Sequence, residues 1–378
     1  MRGADRGACP SLTASPGYRT RCRDTLSGLV RVGILLALVL AACGPALAVQ
    51  SVRVSPDSDA IDLTRAVERR IGTLFGREAA VFLVSTGTAA NALALADLTP
   101  PWGGVLCHTE AHIATDECGA PEFFGGALKL VGLDGTGCKL APATVAAAIV
   151  RHTGHRPHAI QARTLSLSQV TEAGTIYTVA EIAALAELAH AHGLKVHMDG
   201  ARFANALVRL GVSPAAMSWQ AGVDILSFGA TKGGAMAAEA IVAFDRAAAD
   251  AMHERRKRGG HLVSKHRFIA AQFDGFLADD NWLAWARHAN RMADRLAAGL
   301  TARGLAPVWP VEANLVFVVL PRDADARLRA AGATYYARHS GSLPDGIAIE
   351  DGDVLVRLVT SFATTEPEVD RFLAQVSN

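Results

Sequence analysis

A chain of 378 residues, 50% of them hydrophobic and 19% charged, is long enough for two domains around a large core and too apolar to be disordered. Its 37 Lys and Arg stand against 36 Asp and Glu, which excludes a basic face for nucleic acid and an acidic tail. Of its six cysteines, Cys9, Cys22 and Cys43 fall early, and Cys107, Cys118 and Cys138 have neither zinc nor redox spacing, as in a reduced, cytoplasmic protein.

The N-terminal stretch disagrees with that compartment. Residues 1–31 are rich in Arg, Gly, Ser and Cys, and the apolar run Val32 to Ala42 ends in Leu40-Ala41-Ala42-Cys43. This is the pattern of a secretory signal, too short to span a bilayer, and its end resembles a bacterial lipoprotein processing site. Two origins compete for residues 1–60. A misassigned start or frameshift in GC-rich DNA is preferred, because it would give such Arg-, Ala-, Gly-, Pro- and Cys-rich text, and the segment before the apolar run is long for a signal. Export to the periplasm, or anchoring through Cys43, is the rival, and only then would a membrane be a partner.

From residue 61 the pattern becomes regular. Leu63, Val67, Ile71 and Leu74 recur at helical spacing, which predicts a helix over 61–75. Val81 to Val84 reads as a buried strand, Ser85-Thr86-Gly87-Thr88 breaks it, and Ala89 to Leu98 reads as a helix. Further strands are expected at 104–107, 127–131, 163–168, 194–199, 223–228 and 239–244. Thr178-Val179-Ala180-Glu181 is a capping-box pattern, followed by an apolar face of Ile182, Leu185 and Ala189. Residues 250–300 read as mostly helical, with Arg255-Arg256-Lys257-Arg258 expected on a solvated face. Leu315 to Leu320 and Val354 to Leu358 read as strands of a smaller α+β domain. Apolar strands alternating with helices imply a mainly parallel α/β sheet covered on both faces.

Four polar clusters stand where such strands end, the usual place for a site in an open parallel sheet. The turn Ser85 to Thr88 offers free N–H groups and a helix N-terminus to a phosphate, although a plain strand–helix turn explains one such tetrapeptide equally well. His108 and His112, with Glu110, Asp116, Glu117 and Cys118 nearby, raise zinc as a reading, but no third ligand stands at a recognised spacing, so no metal is expected. Asp199 in Lys195-Val196-His197-Met198-Asp199-Gly200-Ala201-Arg202 ends a buried strand. It either caps the helix near Arg202 or pairs with a cation such as a protonated pyridine. Lys232 in Ser227-Phe228-Gly229-Ala230-Thr231-Lys232-Gly233-Gly234 is either a surface lysine in a glycine-rich loop or an amine made nucleophilic by burial. Phosphate turn, Asp and Lys in this order are more specific together than singly.

The wording of these segments resembles the low-specificity L-threonine aldolases, enzymes that use pyridoxal 5′-phosphate (PLP). The likeness rests on Gly87-Thr88-Ala89-Ala90-Asn91, Ala111-His112, Asp116-Glu117-Cys118-Gly119-Ala120-Pro121-Glu122-Phe123-Phe124, His197 to Phe203 and Phe228 to Gly233. Thr99-Pro100-Pro101-Trp102-Gly103 and Val359 to Thr365 are nearer to the L-phenylserine aldolases. The resemblance covers about 61–378. It implies an aspartate-aminotransferase-like fold of type I, with a PLP-binding large domain at 61–260 and a helical connection plus small C-terminal α+β domain at 261–378.

The resemblance further implies that Lys232 carries the cofactor and Asp199 pairs with its ring nitrogen. His112 stacks on the ring, Gly87 and Thr88 hold the phosphate, and Glu117 lies close by. Arg202 and Arg357 bind the substrate carboxylate, as an Arg fork suits. Lys265 reaches the phosphate of a neighbouring subunit in a dimer or tetramer. Glu172 stands where other branches carry His. Either His112 or a water held near Glu172 takes the β-hydroxyl proton, and an amino acid such as threonine or phenylserine is cleaved to glycine and an aldehyde. Two departures are present: Gly233 replaces the family's Asn, and residues 1–60 contain no version of the family's Ser-Asp and Tyr-Gly segment. The competing functions are a β-eliminating PLP lyase, a metal-dependent hydrolase using His108 and His112, and an inactive, anchored lipoprotein.

Overall fold

The computed structural model describes residues 59–376 other than 247–248, 339–342, 345 and 348. The apolar run, Cys43 and the rest of the expected leader lie outside the described residues. In chain order the elements are α1 (Asp59–Leu74), β1 (Ala80–Val84), α2 (Gly87–Leu98), β2 (Gly103–His108), α3 (His112–Thr115), α4 (Ala120–Phe124), β3 (Lys129–Leu133) and α5 (Pro142–Arg151). Then come β4 (Gln161–Ser168), α6 (Val179–Ala191), β5 (Lys195–Gly200), α7 (Phe203–Leu210), β6 (Ile225–Gly229), β7 (Glu239–Ala243), α8 (Met252–Arg258), α9 (Arg267–Leu277) and α10 (Asn281–Thr301). The last are β8 (Leu315–Leu320), α11 (Arg322–Ala330), β9 (Tyr336–Ala337), β10 (Val354–Val359) and α12 (Glu366–Val376).

Seven strands form one sheet in the order β1-β7-β6-β5-β4-β2-β3. The four pairings from β6 to β3 are parallel, and β7 is antiparallel to both of its neighbours. Strand alternation divides the apolar residues between two faces. Val81, Leu83, Val196, Met198, Leu226 and Phe228 pack on one face with Val67 and Ile71 of α1 and Ile182 and Leu185 of α6. Phe82, Val84, Ile225 and Ile241 pack on the other with Ala89, Ala90, Leu93 and Ala94 of α2. Every residue from Ala89 to Ala96 is buried, so α2 has no solvated face. The parallel strands β4, β5 and β6 therefore end beside the N-terminus of α2.

The second sheet, β8-β10-β9, is antiparallel and builds its own core from Val316, Val318, Val356 and Leu358 against Leu296 of α10 and Leu373 of α12. Its other face carries Leu315, Phe317 and Leu355, which pack with Cys138 and Ala173.

Three expectations need correction. The strand expected at 127–131 runs 129–133, because Gly126 and Ala127 both take positive φ in a turn closed by Ala127 N–H donating to Glu122 O at 2.7 Å. The helix expected from Ala89 starts at Gly87, since Thr86 caps it by accepting the Ala89 N–H at 3.1 Å. The basic run is not wholly solvated: Arg256 is buried, with its guanidinium over the Phe82 ring and Glu68 at 3.9 Å. The capping box forms as the pattern predicts, with Thr178 and Glu181 exchanging bonds of 2.7 and 3.2 Å.

Candidate active site

Period-two alternation puts His197 and Asp199 on the α2 side of β5, both buried. His197 bridges Ser166 of β4 at 2.9 Å and Ser227 of β6 at 3.0 Å, and burial drops its pKa to about 4, so it is a neutral strut. One oxygen of Asp199 accepts the Ala201 N–H at 2.9 Å and the other accepts from Asn91 Nδ2 at 2.9 Å. Burial alone would raise this carboxyl. The nearby Lys232 charge and the two hydrogen bonds outweigh it and hold Asp199 below its usual range. A fixed, ionised carboxylate thus faces the end of the sheet.

Lys232 follows β6 in a tight turn, Thr231–Gly233, that ends on Gly234 at φ 132°. Its side chain is exposed, yet its surroundings are crowded with protein. These facts agree if the amine stands on the floor of an open cleft. Burial and then the Arg202 charge lower its pKa. Among the described residues no ion pair or hydrogen bond engages the ammonium. A lysine left free beside Asp199 differs from the surface lysines Lys139 and Lys195, which are paired.

At the α2 N-terminus the N–H groups of Gly87 and Thr88 belong to the first helical turn and have no helical acceptor. No neighbour lies within 4 Å of where a Gly87 side chain would project. His261, from the loop after α8, stands over this turn, with Nδ1 3.0 Å from Ser85 Oγ and 3.4 Å from Ser85 N. Burial lowers its pKa.

The chain of polar contacts continues away from Asp199. Asn91 Nδ2 also donates to Glu117 Oε1 at 2.8 Å, and Glu117 Oε1 lies 3.0 Å from His112 Nδ1. The hydrogen bond to Glu117 raises the His112 pKa, while burial raises that of Glu117. Of these opposed pulls on one proton we favour His112 as its holder, because Glu117 Oε1 also accepts from Asn91. The His112 N–H donates to Glu172 Oε1 at 3.0 Å, and Ser168 Oγ–H does so at 2.7 Å. Glu172 Oε2 is buried without a partner, and burial raises this carboxyl. Arg338 follows β9. It donates to Glu172 O at 2.8 Å, forms an ion pair with Glu110 and covers the Phe317 ring, which joins the small sheet to this wall.

Arg202, just after β5, and Arg357, on the β10 face shared with Leu355, approach each other closely enough that, after burial, the Arg357 charge is the main cause lowering Arg202 to about 10. The Nε atoms of both are buried without partners, and neither guanidinium has a carboxylate in ion-pair contact among the described residues. Two neighbouring guanidinium groups without a carboxylate in ion-pair contact have the chemistry to accept a small carboxylate.

Most residues expected from the sequence therefore converge: Gly87 and Thr88 line one end, His112, Glu117 and Glu172 one wall, and Asp199, Arg202, Lys232 and Arg357 the rest. Lys265 does not join them within this chain. It is exposed in the loop before α9, with no hydrogen bond or ion pair to the cluster. His108 ends β2 and turns away, with Nε2 3.0 Å from Gly135 O and Nδ1 accepting the Glu110 N–H at 3.0 Å. Both its nitrogens are occupied, so it does not form a metal pair with His112. No group of three or more His, Cys, Asp or Glu suited to a metal exists among the described residues. Sequence reasoning missed Asn91, His197, Glu239, His261 and Arg338. For Asn91 a signal existed: it is the one polar residue in the run Ala89–Ala96, and a polar residue buried there needs a partner.

Pyridoxal phosphate fits these groups. The unpaired amine, the anchored carboxylate with lone pairs to spare, the open helix N-terminus and the unpartnered guanidinium nitrogens match its aldehyde, ring nitrogen, phosphate and bound amino acid respectively.

Comparison with known proteins adds an independent line. The family model described as beta-eliminating lyase matches residues 57–322. A low specificity L-threonine aldolase of Pseudomonas aeruginosa is 47% identical over 266 residues, 70% of this chain and 76% of that protein. One from a Pseudomonas species is 42% identical over the same length. Among solved structures, a threonine aldolase of Leishmania major is similar with a TM-score of 0.76 and 28% identity, over 86% of this chain and 96% of the other. Serine palmitoyltransferase of Sphingomonas wittichii, at 15% identity and a TM-score of 0.61 over 84% of this chain and 75% of the other, shares the fold alone.

Proposed function

Since the chain belongs to the beta-eliminating lyase family, we propose that it is a PLP-dependent aldehyde-lyase of the threonine aldolase type. It cleaves L-threonine and related β-hydroxy-α-amino acids between Cα and Cβ, releasing glycine and an aldehyde. The observation that carries this reading is the meeting of a free Lys232 amine, an ionised Asp199 and two anion-free arginines in one cleft.

Lys232 would hold the cofactor covalently, and Gly87 and Thr88 would hold its phosphate on the α2 N-terminus. Asp199 would hold a proton on the ring nitrogen. When bound, the electron-poor ring supplies a sink for the electron pair released at Cα. Arg202 and Arg357 would grip the substrate carboxylate and so restrict how the bonds at Cα are oriented. His112 has Nδ1 committed to Glu117, which leaves Nε2 to receive the β-hydroxyl proton. Glu172 Oε2 offers a second acceptor through a water. Phenylserine falls within the same chemistry, because both substrates carry the β-hydroxyl the base needs.

We read residues 61–260 as the cofactor-holding domain and 261–378 as the helical connection and small domain. We also read the assembly as a homo-oligomer in which Lys265 serves a neighbour's phosphate. Cys107 and Cys138 are buried and in no disulfide among the described residues, which suits the cytoplasm. Among the described residues no helix is long and apolar enough to cross a membrane. The test is a product assay on the cofactor-loaded protein with L-threonine and with phenylserine. Glycine and the matching aldehyde are expected in equal amounts. Ammonia and a 2-oxo acid in place of glycine would overturn the aldolase reading in favour of β-elimination.

A further inference from the structure

The roles above leave one buried acid unused. Glu239 opens β7 at 6% exposure, on the same sheet face as Asp199. It pairs in register with Gly229 at the end of β6 and with Val84 at the end of β1. A side-chain carbon at Gly229 would stand 3.0 Å from Glu239 Oε2, so the carboxyl lies against bare backbone three residues before Lys232. Thr231, adjacent to Lys232, hydrogen-bonds Glu239 from both its side chain and its backbone. Its Oγ1 also accepts the Ala238 N–H at 3.1 Å, which locks the turn that carries the lysine to the start of β7.

Lys232 and Glu239 are not in ion-pair contact, but each lies in the other's field. The charged groups facing Glu239 are Lys232 from the turn and Asp199 from β5. Flanking Val84 and Gly229 bring none. Asp199 and Glu239 thus reach Lys232 from the two strands on either side of β6. They differ in anchoring: Asp199 holds its charge, whereas burial pushes Glu239 up to about 7, where it exchanges a proton near neutrality.

We propose that Glu239 is a positioning residue for Lys232, an internal acid that carries a proton when the lysine nitrogen is uncharged and releases it when that nitrogen is charged. The pair then keeps a constant net charge as the nitrogen gains and loses its proton. Its meaning for turnover rests on the reading of Lys232 as the cofactor lysine, but the coupling is a property of the two side chains.

The test is a pH titration of the visible absorbance band of the cofactor-loaded full chain, comparing the parent with E239Q and E239D. Removing the carboxylate removes charge that favours a protonated nitrogen, so E239Q is expected to lower the midpoint by about one pH unit. E239D, still an acid, is expected to stay near the parent. An E239Q midpoint unchanged from the parent overturns the proposal. Where E239Q does not fold, the parent chain serves: infrared spectra at pH 7.5, before and after acylation of Lys232, are expected to gain a protonated-carboxyl band, and no gain overturns the coupling. Borohydride trapping separates the two claims. Cofactor mapped to a different lysine overturns the functional reading, whereas cofactor on Lys232 with an unmoved E239Q midpoint overturns the coupling alone.

Discussion

The two sides of the cleft around Lys232 follow opposite plans. On the side of α2 and β5, Asp199, Asn91, Glu117 and His112 form a closed chain of hydrogen bonds of 2.8 to 3.0 Å. On the side facing the small sheet, Arg202 and Arg357 stand together with partnerless buried nitrogens and no carboxylate. On the first side the four side chains engage one another, although Asn91 Oδ1 and Glu117 Oε2 keep no partner. On the second the guanidinium nitrogens are left open, as the proposed receptor of a transient carboxylate would be, which costs folding stability and is offset only when an anion arrives.

Breaking the closed side should have the largest effect. Asp199→Ala removes the carboxylate proposed to keep the ring nitrogen protonated and the ring electron-poor, and kcat should fall about 10²–10³-fold. A loss confined to KM would show that Asp199 only binds. On the open side, Arg357→Ala should act mainly on KM, raising it about 10–100-fold for the loss of a charge-assisted pair. An equal loss with a substrate amide lacking the carboxylate would remove that role. The smallest effect sharpens the link between the chain's members. Glu117→Gln removes the partner that raises His112, whose neutral form is the proposed base. Activity that appears as pH rises through the His112 pKa should therefore appear at lower pH in the variant, by about half a unit to one unit. An acid limb that stays in place assigns the base role to Glu172.

Much of this was legible in the chain, and what was not has a physical reason. The strand ends carrying Asp199 and Lys232 could be read because apolar runs of four to eight residues stop at polar ones. The fold-type-I arrangement implied by the resemblance is the one the chain adopts. The direction of β7 was not legible: 239–244 reads as one more apolar strand, and only its pairing shows that it runs against its neighbours. The partners of Asn91 and Glu239 were hidden for a related reason. Each is a polar residue in or beside an apolar run, which signals that a partner is needed, but the partners, Asp199 and Glu117 for one and Thr231 for the other, lie 8 to 108 positions away. Arg338 was missed because its ties to Glu110 and Glu172 form only when the small sheet docks on the large one.

The central claim is that Lys232 is the lysine that holds the cofactor. Its direct test is borohydride reduction of the PLP-loaded protein, followed by proteolysis and mass mapping of the modified peptide. The account predicts stoichiometric label on Lys232 and no visible absorbance band in Lys232→Ala. Label on Lys265 or any other lysine, with the band retained in Lys232→Ala, would contradict it.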